Sequence, residues 1–409
     1  MATVALLAAP AGAQSGDVWW FDALKVGQAH AQTKGEGATV LVYDTEIDPT
    51  VPELRGADLE WSTQCEASEN LGTPLREYGP TSAATSQDAN HGTAMTALIA
   101  GQGNGGVVGM APEASVFFVA GAPGPEELDF CTRPVDDLAI AAGADIVSHA
   151  GNYLTSGTAV KRLQRENIVI VASAGNGEAF IDEPASRPGV VAVGAVDSAG
   201  LPWVDNSTPL EDTEAETGGA ITVLAPGVDV PAGAGGNGRW VPKYERTGTS
   251  PATSIVAGAL ALVKAKYPDA TGNQLLWHLI HNTGQDEFEY FPESGFGIVS
   301  VTKMLAQDPT GWPDLNPLLK SPQEILELYP PSLYGKHPGA TSLPETEQAS
   351  AEQPPPADAD SADASSTGDG AGFPWVLAVA LTALAIVLVV AVLWTRRTRS
   401  SVSPQGDRP

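Results

Sequence analysis

Between residues 16 and 307 the chain repeatedly alternates short, β-branched apolar runs with small-residue helical stretches, and this alternation constrains the fold most. The runs Thr39–Tyr43, Ser115–Val119, Asp145–Ser148, Ile168–Ala172, Val190–Ala195 and Ile221–Leu224 are short and mostly apolar. Strands of that kind are buried on both faces, which requires a covering layer on each side. Helical segments such as Asp136–Ala142 and Gly157–Glu166 lie between them. Strand–helix alternation predicts an α/β fold of three layers around a mostly parallel central sheet. Reactive side chains in such a sheet gather beyond the carboxyl ends of its strands.

Three residues fall at positions of that type. Asp44 directly follows the run Thr39–Tyr43. His91 opens a predicted helix through Ile99, where Met95, Leu98 and Ile99 recur at helical spacing and Gly101 supplies the stop. Ser250 precedes a long small-residue helix reaching Lys266, and Pro251 suits its first position because the missing N–H would find no partner there. A hydroxyl is a poor nucleophile until an imidazole removes its proton. The imidazole in turn needs a carboxylate to fix its tautomer and stabilise its cation. Free N–H groups at a helix N-terminus also favour a developing oxyanion, and Asn176, after the run Ile168–Ala172, offers a side-chain amide for the same charge. Taken singly, each residue type has an ordinary structural explanation. Their joint order and setting carry the assignment.

In that order the residues resemble the subtilisin-like serine protease family, whose triad runs Asp, His, Ser. Tyr43-Asp44-Thr45, His91-Gly92-Thr93 and Gly248-Thr249-Ser250 are similar to its catalytic motifs, and Ala252 and Val256-Ala257-Gly258 extend the last. Ala174-Gly175-Asn176 is similar to its oxyanion segment, and Gly106–Pro112, Val191–Asp197 and Leu224–Gly227 agree with its connecting stretches. The resemblance runs from Trp19 to Leu305. It implies a subtilisin-like fold, Asp44, His91 and Ser250 as catalytic triad, Asn176 in the oxyanion hole, and Ser148, Ala150, Gly151, Ala174 and Gly175 along the substrate cleft. It also implies polypeptide substrates and no required cofactor. Within the family the layout is most similar to the mycosins, membrane-anchored proteases linked to type VII secretion, which implies a secretion complex as partner. The segment before Asp44 is too short for the inhibitory pro-domain of many secreted subtilisins, as in the mycosins.

Some positions depart from the family pattern. Glu46 stands where a glycine usually follows the aspartate motif, and it is expected to point outward. Asp48 is a further carboxylate close by, but Asp44 alone follows the strand. Through Ala144–Asn152 two alignments are open. Without a gap, Ala150 replaces the family's serine and Asn152 its glycine; with a shift of one, Ser148 keeps the serine's role and His149 turns to the pocket. A packed His149 without substrate contact is the alternative. His30, His278, His281 and His337 lack ligand spacing and are expected on helices or the surface. No metal site is expected, and calcium has no support because the acidic residues lack calcium-loop spacing.

The C-terminal end carries a second constraint. Phe373 to Trp394 holds no charge, and as a helix it spans ~30 Å, the thickness of a bilayer's hydrocarbon core. Trp375 and Trp394 sit near its ends, and Arg396, Arg397 and Arg399 follow. The positive-inside rule then predicts a single-pass protein of the cell membrane, with the catalytic domain extracellular and residues 395–409 cytoplasmic. Thr341 to Gly372 is rich in Pro, Ala, Ser and Asp and reads as a flexible tether. Met1 to Gln14 ends in a small-x-small pattern without a basic start, so it reads as a signal-peptide remnant or as a chain whose start lies upstream. The expected divisions are 1–14, a peptidase domain over 15–312, an extended segment and linker over 313–372, the span at 373–394, and the tail.

Export also bears on the two cysteines. Cys65 and Cys131 are expected to pair, closing a loop of roughly 65 residues worth ~3–4 kcal/mol; two free buried thiols are the alternative. Each lies in a segment, Ser62–Asp88 or Gly121–Val135, that reads as an insertion beside the cleft. The net charge of −28 opposes nucleic-acid binding and reads as a solvated surface, with an acidic groove for basic substrates as the alternative. Two function classes follow: a membrane-anchored serine endopeptidase, or a structural component of a membrane secretion complex whose protease activity is dispensable. An esterase is disfavoured, because no Gly-x-Ser-x-Gly elbow precedes an acid and a histidine in that order.

Overall fold

The computed structural model describes residues 18–62, 80–120, 135–151, 156–176, 181–203 and 221–328, and the backbone of a short strand pair within 64–77. The strands are β1 (Thr39–Asp44), β2 (Leu59–Ser62), β3 (Gln64–Cys65), β4 (Arg76–Glu77), β5 (Ser115–Ala120), β6 (Ile146–His149), β7 (Val169–Ser173), β8 (Val191–Val196), β9 (Val223–Pro226), β10 (Val230–Pro231), β11 (Ala234–Gly236), β12 (Arg239–Val241) and β13 (Glu245–Arg246). The helices are α1 (Trp19–Ala23), α2 (Val26–His30), α3 (Gln87–Ala100), α4 (Val135–Ala141), α5 (Gly157–Arg165), α6 (Thr249–Lys266), α7 (Gly272–His281), α8 (Val301–Ala306) and α9 (Pro322–Leu328). Seven strands form one sheet in the order β2-β5-β1-β6-β7-β8-β9, and its neighbours all pair in parallel.

Period-two alternation sorts the sheet's side chains onto two covered faces. Val40 and Val42 of β1 join Ile146, Val169 and Val171 under α3 and α6. Leu41 and Tyr43 join Ile170, Ala172 and Ala192 under α4 and α5, where Val135, Ala139, Val160 and Leu163 meet them. The result is the three-layer arrangement expected from the alternation, and it agrees with the subtilisin-like fold that the resemblance implies. Every residue of α6 from Thr249 to Val263 is buried, so its small side chains let the helix pack on all sides.

Boundaries differ from the expectation in one direction. β6, β7, β8 and β9 each end one or two residues beyond the apolar runs, because pairing continues through His149, Ser173 and Pro226 after the hydrophobic pattern has stopped. β2 was not expected. As an edge strand it leaves Glu60 and Trp61 exposed and shows no buried run.

Packing continues past residue 312. Ile325 of α9 is buried with Trp277, Phe288, Phe296 and Trp312. Among the described residues no helix is long and apolar enough to cross a membrane. The expected span at 373–394, the signal segment, His337, Asn152 and Cys131 lie outside the described residues, and so does any bridge from Cys65.

Candidate active site

β1 delivers Asp44 to the carboxyl edge of the sheet, where its side chain is fully buried. One oxygen, Oδ1, receives every hydrogen bond of this carboxylate among the described residues: from His91 Nδ1 at 2.7 Å, Thr45 N at 2.7 Å and Thr45 Oγ1 at 3.0 Å. Complete burial pushes the carboxyl's pKa up. The adjacent His91 and the hydrogen bonds from His91 and Thr45 outweigh it and hold the group below the usual carboxylate range. With Nδ1–H given to Asp44, the lone pair of His91 lies on Nε2.

His91 does not open its helix. α3 begins at Gln87, capped by Ser86, whose Oγ accepts from Ala89 N, so His91 stands in the second turn. Its neighbour Gly92 explains the close approach of α3 to β1. A Cβ there would stand 2.2 Å from Glu46 O and 2.9 Å from Phe118 Cζ, so any larger residue would push His91 away from Asp44. Glu46 itself accepts a hydrogen bond from Ser86 Oγ at 3.0 Å. Asp48 serves the turn after β1, accepting from Thr50 N, Thr50 Oγ1 and Ala83 N.

Ser250 is the second residue of α6 and Pro251 the third, two positions further in than the sequence suggested. Pro251 still lies where the N–H would be unpaired. Ser250 is nearly buried, and its Oγ donates to Ala150 O at 2.7 Å; no hydrogen bond joins it to His91. That contact places Ala150 at the serine and favours the ungapped alignment. Ser148, proposed for the cleft, has no exposed surface: it pairs in register with Val42 and Val171 inside the sheet. His149 is buried on the opposite face, its ring set edge-on to Tyr43 at 5.0 Å, as a packed histidine would be. His278 also lies in the core, with Nε2 at 2.7 Å from Met304 O.

Asn176 follows β7 with its side chain fixed in one sense. Its Oδ1 accepts from Thr249 N at 2.9 Å and lies 3.0 Å from Thr249 Oγ1, so Nδ2 carries its two hydrogens on the side away from Thr249. Gly248, at φ +154°, makes room: a Cβ there would stand 3.2 Å from Asn176 Oδ1. Thr249 is fully buried and also bonds the backbone of Gly175, joining the α6 start to the Gly175-Asn176 segment. Its role was not legible in the sequence, where it reads only as the middle of Gly-Thr-Ser. Among the described residues no cluster of acidic, His or Cys side chains could hold a metal ion.

The subtilase family pattern matches residues 35–300. The chain belongs to the subtilase family. A thermostable alkaline protease of Halalkalibacterium halodurans is 32% identical over 268 residues, 63% of this chain and 65% of that protein. Subtilisin E of Bacillus subtilis is 29% identical over 272 residues, 62% of each chain. This subtilase therefore spans about three fifths of the length of those relatives. Among solved structures, MycP1 from the ESX-1 type VII secretion system is similar in fold, with a TM-score of 0.53 at 20% identity over 75% of this chain and 89% of that one.

Proposed function

We propose that this subtilase is a serine endopeptidase in which Asp44, His91 and Ser250 form the triad and Asn176 the oxyanion donor. The observation that carries the reading is the 2.7 Å contact from buried Asp44 to His91 Nδ1, on the sheet edge that also holds Ser250. An extended peptide would lie along Ala150–Gly151 and Ala174–Gly175. Rotation of the Ser250 side chain takes its hydroxyl from Ala150 O to His91 Nε2. His91 removes the proton as Oγ bonds to the scissile carbonyl carbon, then returns it to the departing amine as the C–N bond breaks. Water repeats the cycle on the acyl-enzyme. Asn176 Nδ2 stabilises the tetrahedral oxyanion; Asn176→Ala is expected to lower kcat by about 10²–10³ with KM little changed.

The same proposal takes residues 373–394 as a single membrane span, the domain before it as extracellular, residues 395–409 as cytoplasmic, and Cys65–Cys131 as a disulfide. The tether, span and basic tail support a mycosin-like place in type VII secretion, as does the fold likeness to MycP1. A chain ending at Gly372 is expected in the medium; retention at the membrane would count against the anchor.

One observation favours a second reading. Ser250 gives its hydroxyl to Ala150 O, away from His91, as in a protein that serves a secretion complex structurally with its hydrolytic capacity dispensable. Fluorophosphonate labelling of the full chain separates the two. Labelling that disappears in Ser250→Ala and His91→Ala supports the enzyme; a folded chain that never labels supports the second reading.

A further inference from the structure

The β11–β12 hairpin and β13 lie against the first half of α3. Asn90 Nδ2 donates to Gly235 O at 2.9 Å, and Gly238 N donates to Ala84 O at 3.2 Å. Arg246 completes the attachment. Its Nε donates to Gly233 O at 2.8 Å, and its Nη2 donates to Asn90 O at 3.1 Å and to Asn90 Oδ1. These acceptors are neutral carbonyl oxygens, so the guanidinium keeps its charge while most of its surface is covered. The Asn90 carbonyl belongs to the peptide bond whose nitrogen is that of His91. Arg246 itself lies just ahead of Gly248-Thr249-Ser250. One side chain therefore ties the strand leading to the serine to the residue preceding the histidine.

We propose that Arg246 is a positioning residue for His91, holding α3 against the Ser250 segment and placing a fixed positive charge beside the Asp44–His91 pair. The inference rests on the catalytic reading above. A fixed cation near both groups lowers the energy of the carboxylate and raises that of the imidazolium. The same attraction is felt at Arg246, whose pKa burial pulls down and whose charge Asp44 and Tyr244 favour. Other titratable groups around His91 are Glu46 in the loop after β1, held by Ser86, Asp88 one turn earlier on α3, and Glu245 on β13. All three are acids, opposite in charge to Arg246.

The test uses the full chain. His91 is titrated by histidine C2-hydrogen exchange read by mass spectrometry, which needs no turnover, and Ser250 is followed by its rate of fluorophosphonate labelling. In Arg246→Met and Arg246→Gln, His91 is expected to gain its proton about half a pH unit higher. The labelling rate at neutral pH is expected to fall about tenfold as alignment is lost. Arg246→Lys keeps the charge without the forked contacts, so its His91 titration stays near that of the unaltered chain while labelling still falls. An unshifted His91 titration in a folded Arg246→Gln chain overturns the proposal, whatever happens to labelling, because a packing role would leave the titration unmoved. If the unaltered chain never labels, the proposed hydrolysis fails, and the His91 shift still decides this inference.

Discussion

Two buried carboxyls on neighbouring stretches of chain behave in opposite ways. Asp44 and Glu53 both have no exposed surface. Asp44 is held below the usual range because an imidazole and Thr45 direct their donors at one oxygen. Glu53 is pushed above it by burial, against which a bond from Trp240 Nε1 at 2.9 Å to Oε2 is too little, and its Oε1 has no partner among the described residues. Burial alone therefore does not decide charge; the number and sign of the groups aimed at the carboxyl do. One carboxyl is equipped to stay ionised beside a base, and the other is a structural acid whose neutral form suits the fold.

The contrast can be broken at either end. The largest effect is expected from Asp44→Asn, which gives the first site the neutrality the second prefers. It should lower peptide or probe turnover by about 10⁴-fold while leaving the fold intact. Removing the partner is the next test. His91→Ala leaves a buried carboxylate without its imidazole and should cost about 3 kcal/mol in denaturant melts at neutral pH. Because the folded pKa of Asp44 is depressed, its contribution is complete above the ordinary aspartate value of about 4 and fades as pH falls through the lower folded value. The two proteins should therefore converge in stability in acid; a gap that persists there would mean His91 matters mainly by packing.

Smaller effects sharpen the Glu53 side. Trp240→Phe removes its donor and should cost about 1–2 kcal/mol, with the loss growing as pH rises, since the charged form is the one left bare. Glu53 has a raised folded pKa, so its favourable state is present below the ordinary glutamate value and is lost as pH rises through the folded one. Glu53→Gln should therefore change stability by about 1 kcal/mol or less, and its standing relative to the parent should improve from pH 4 to pH 8. A flat difference across that range would place an unseen donor at Glu53.

The architecture was legible because it depends on short-range pattern, and the proposed reacting side chains were picked out from the same pattern. Asp44, His91, Ser250 and Asn176 stand beside apolar runs or at helix starts whose periodicity can be read along the chain. What escaped reading depends on distant approach. Arg246 and Asn90 are 156 residues apart, and in sequence Arg246 is one charge in a polar turn. Thr249 is silent until its hydroxyl is seen against Gly175 and Asn176. The choice between Ser148 and Ala150 also needed three dimensions, because a one-residue slip along a strand exchanges its faces. The Ala150 carbonyl at Ser250 and the complete burial of Ser148 favour one register over the other.

The burial of α6 has a further consequence for how this molecule fails. Its amides are sealed between the sheet and α3, so their exchange with deuterated solvent should require opening of the whole domain. Ser250 rides on that last-to-open element, whereas His91 stands near the exposed first turn of α3, which a small hairpin fastens. Heat or denaturant should first loosen His91 from Ser250 and erase probe labelling while far-ultraviolet dichroism is still native. Loss of activity would then report a local slackening well before the domain melts.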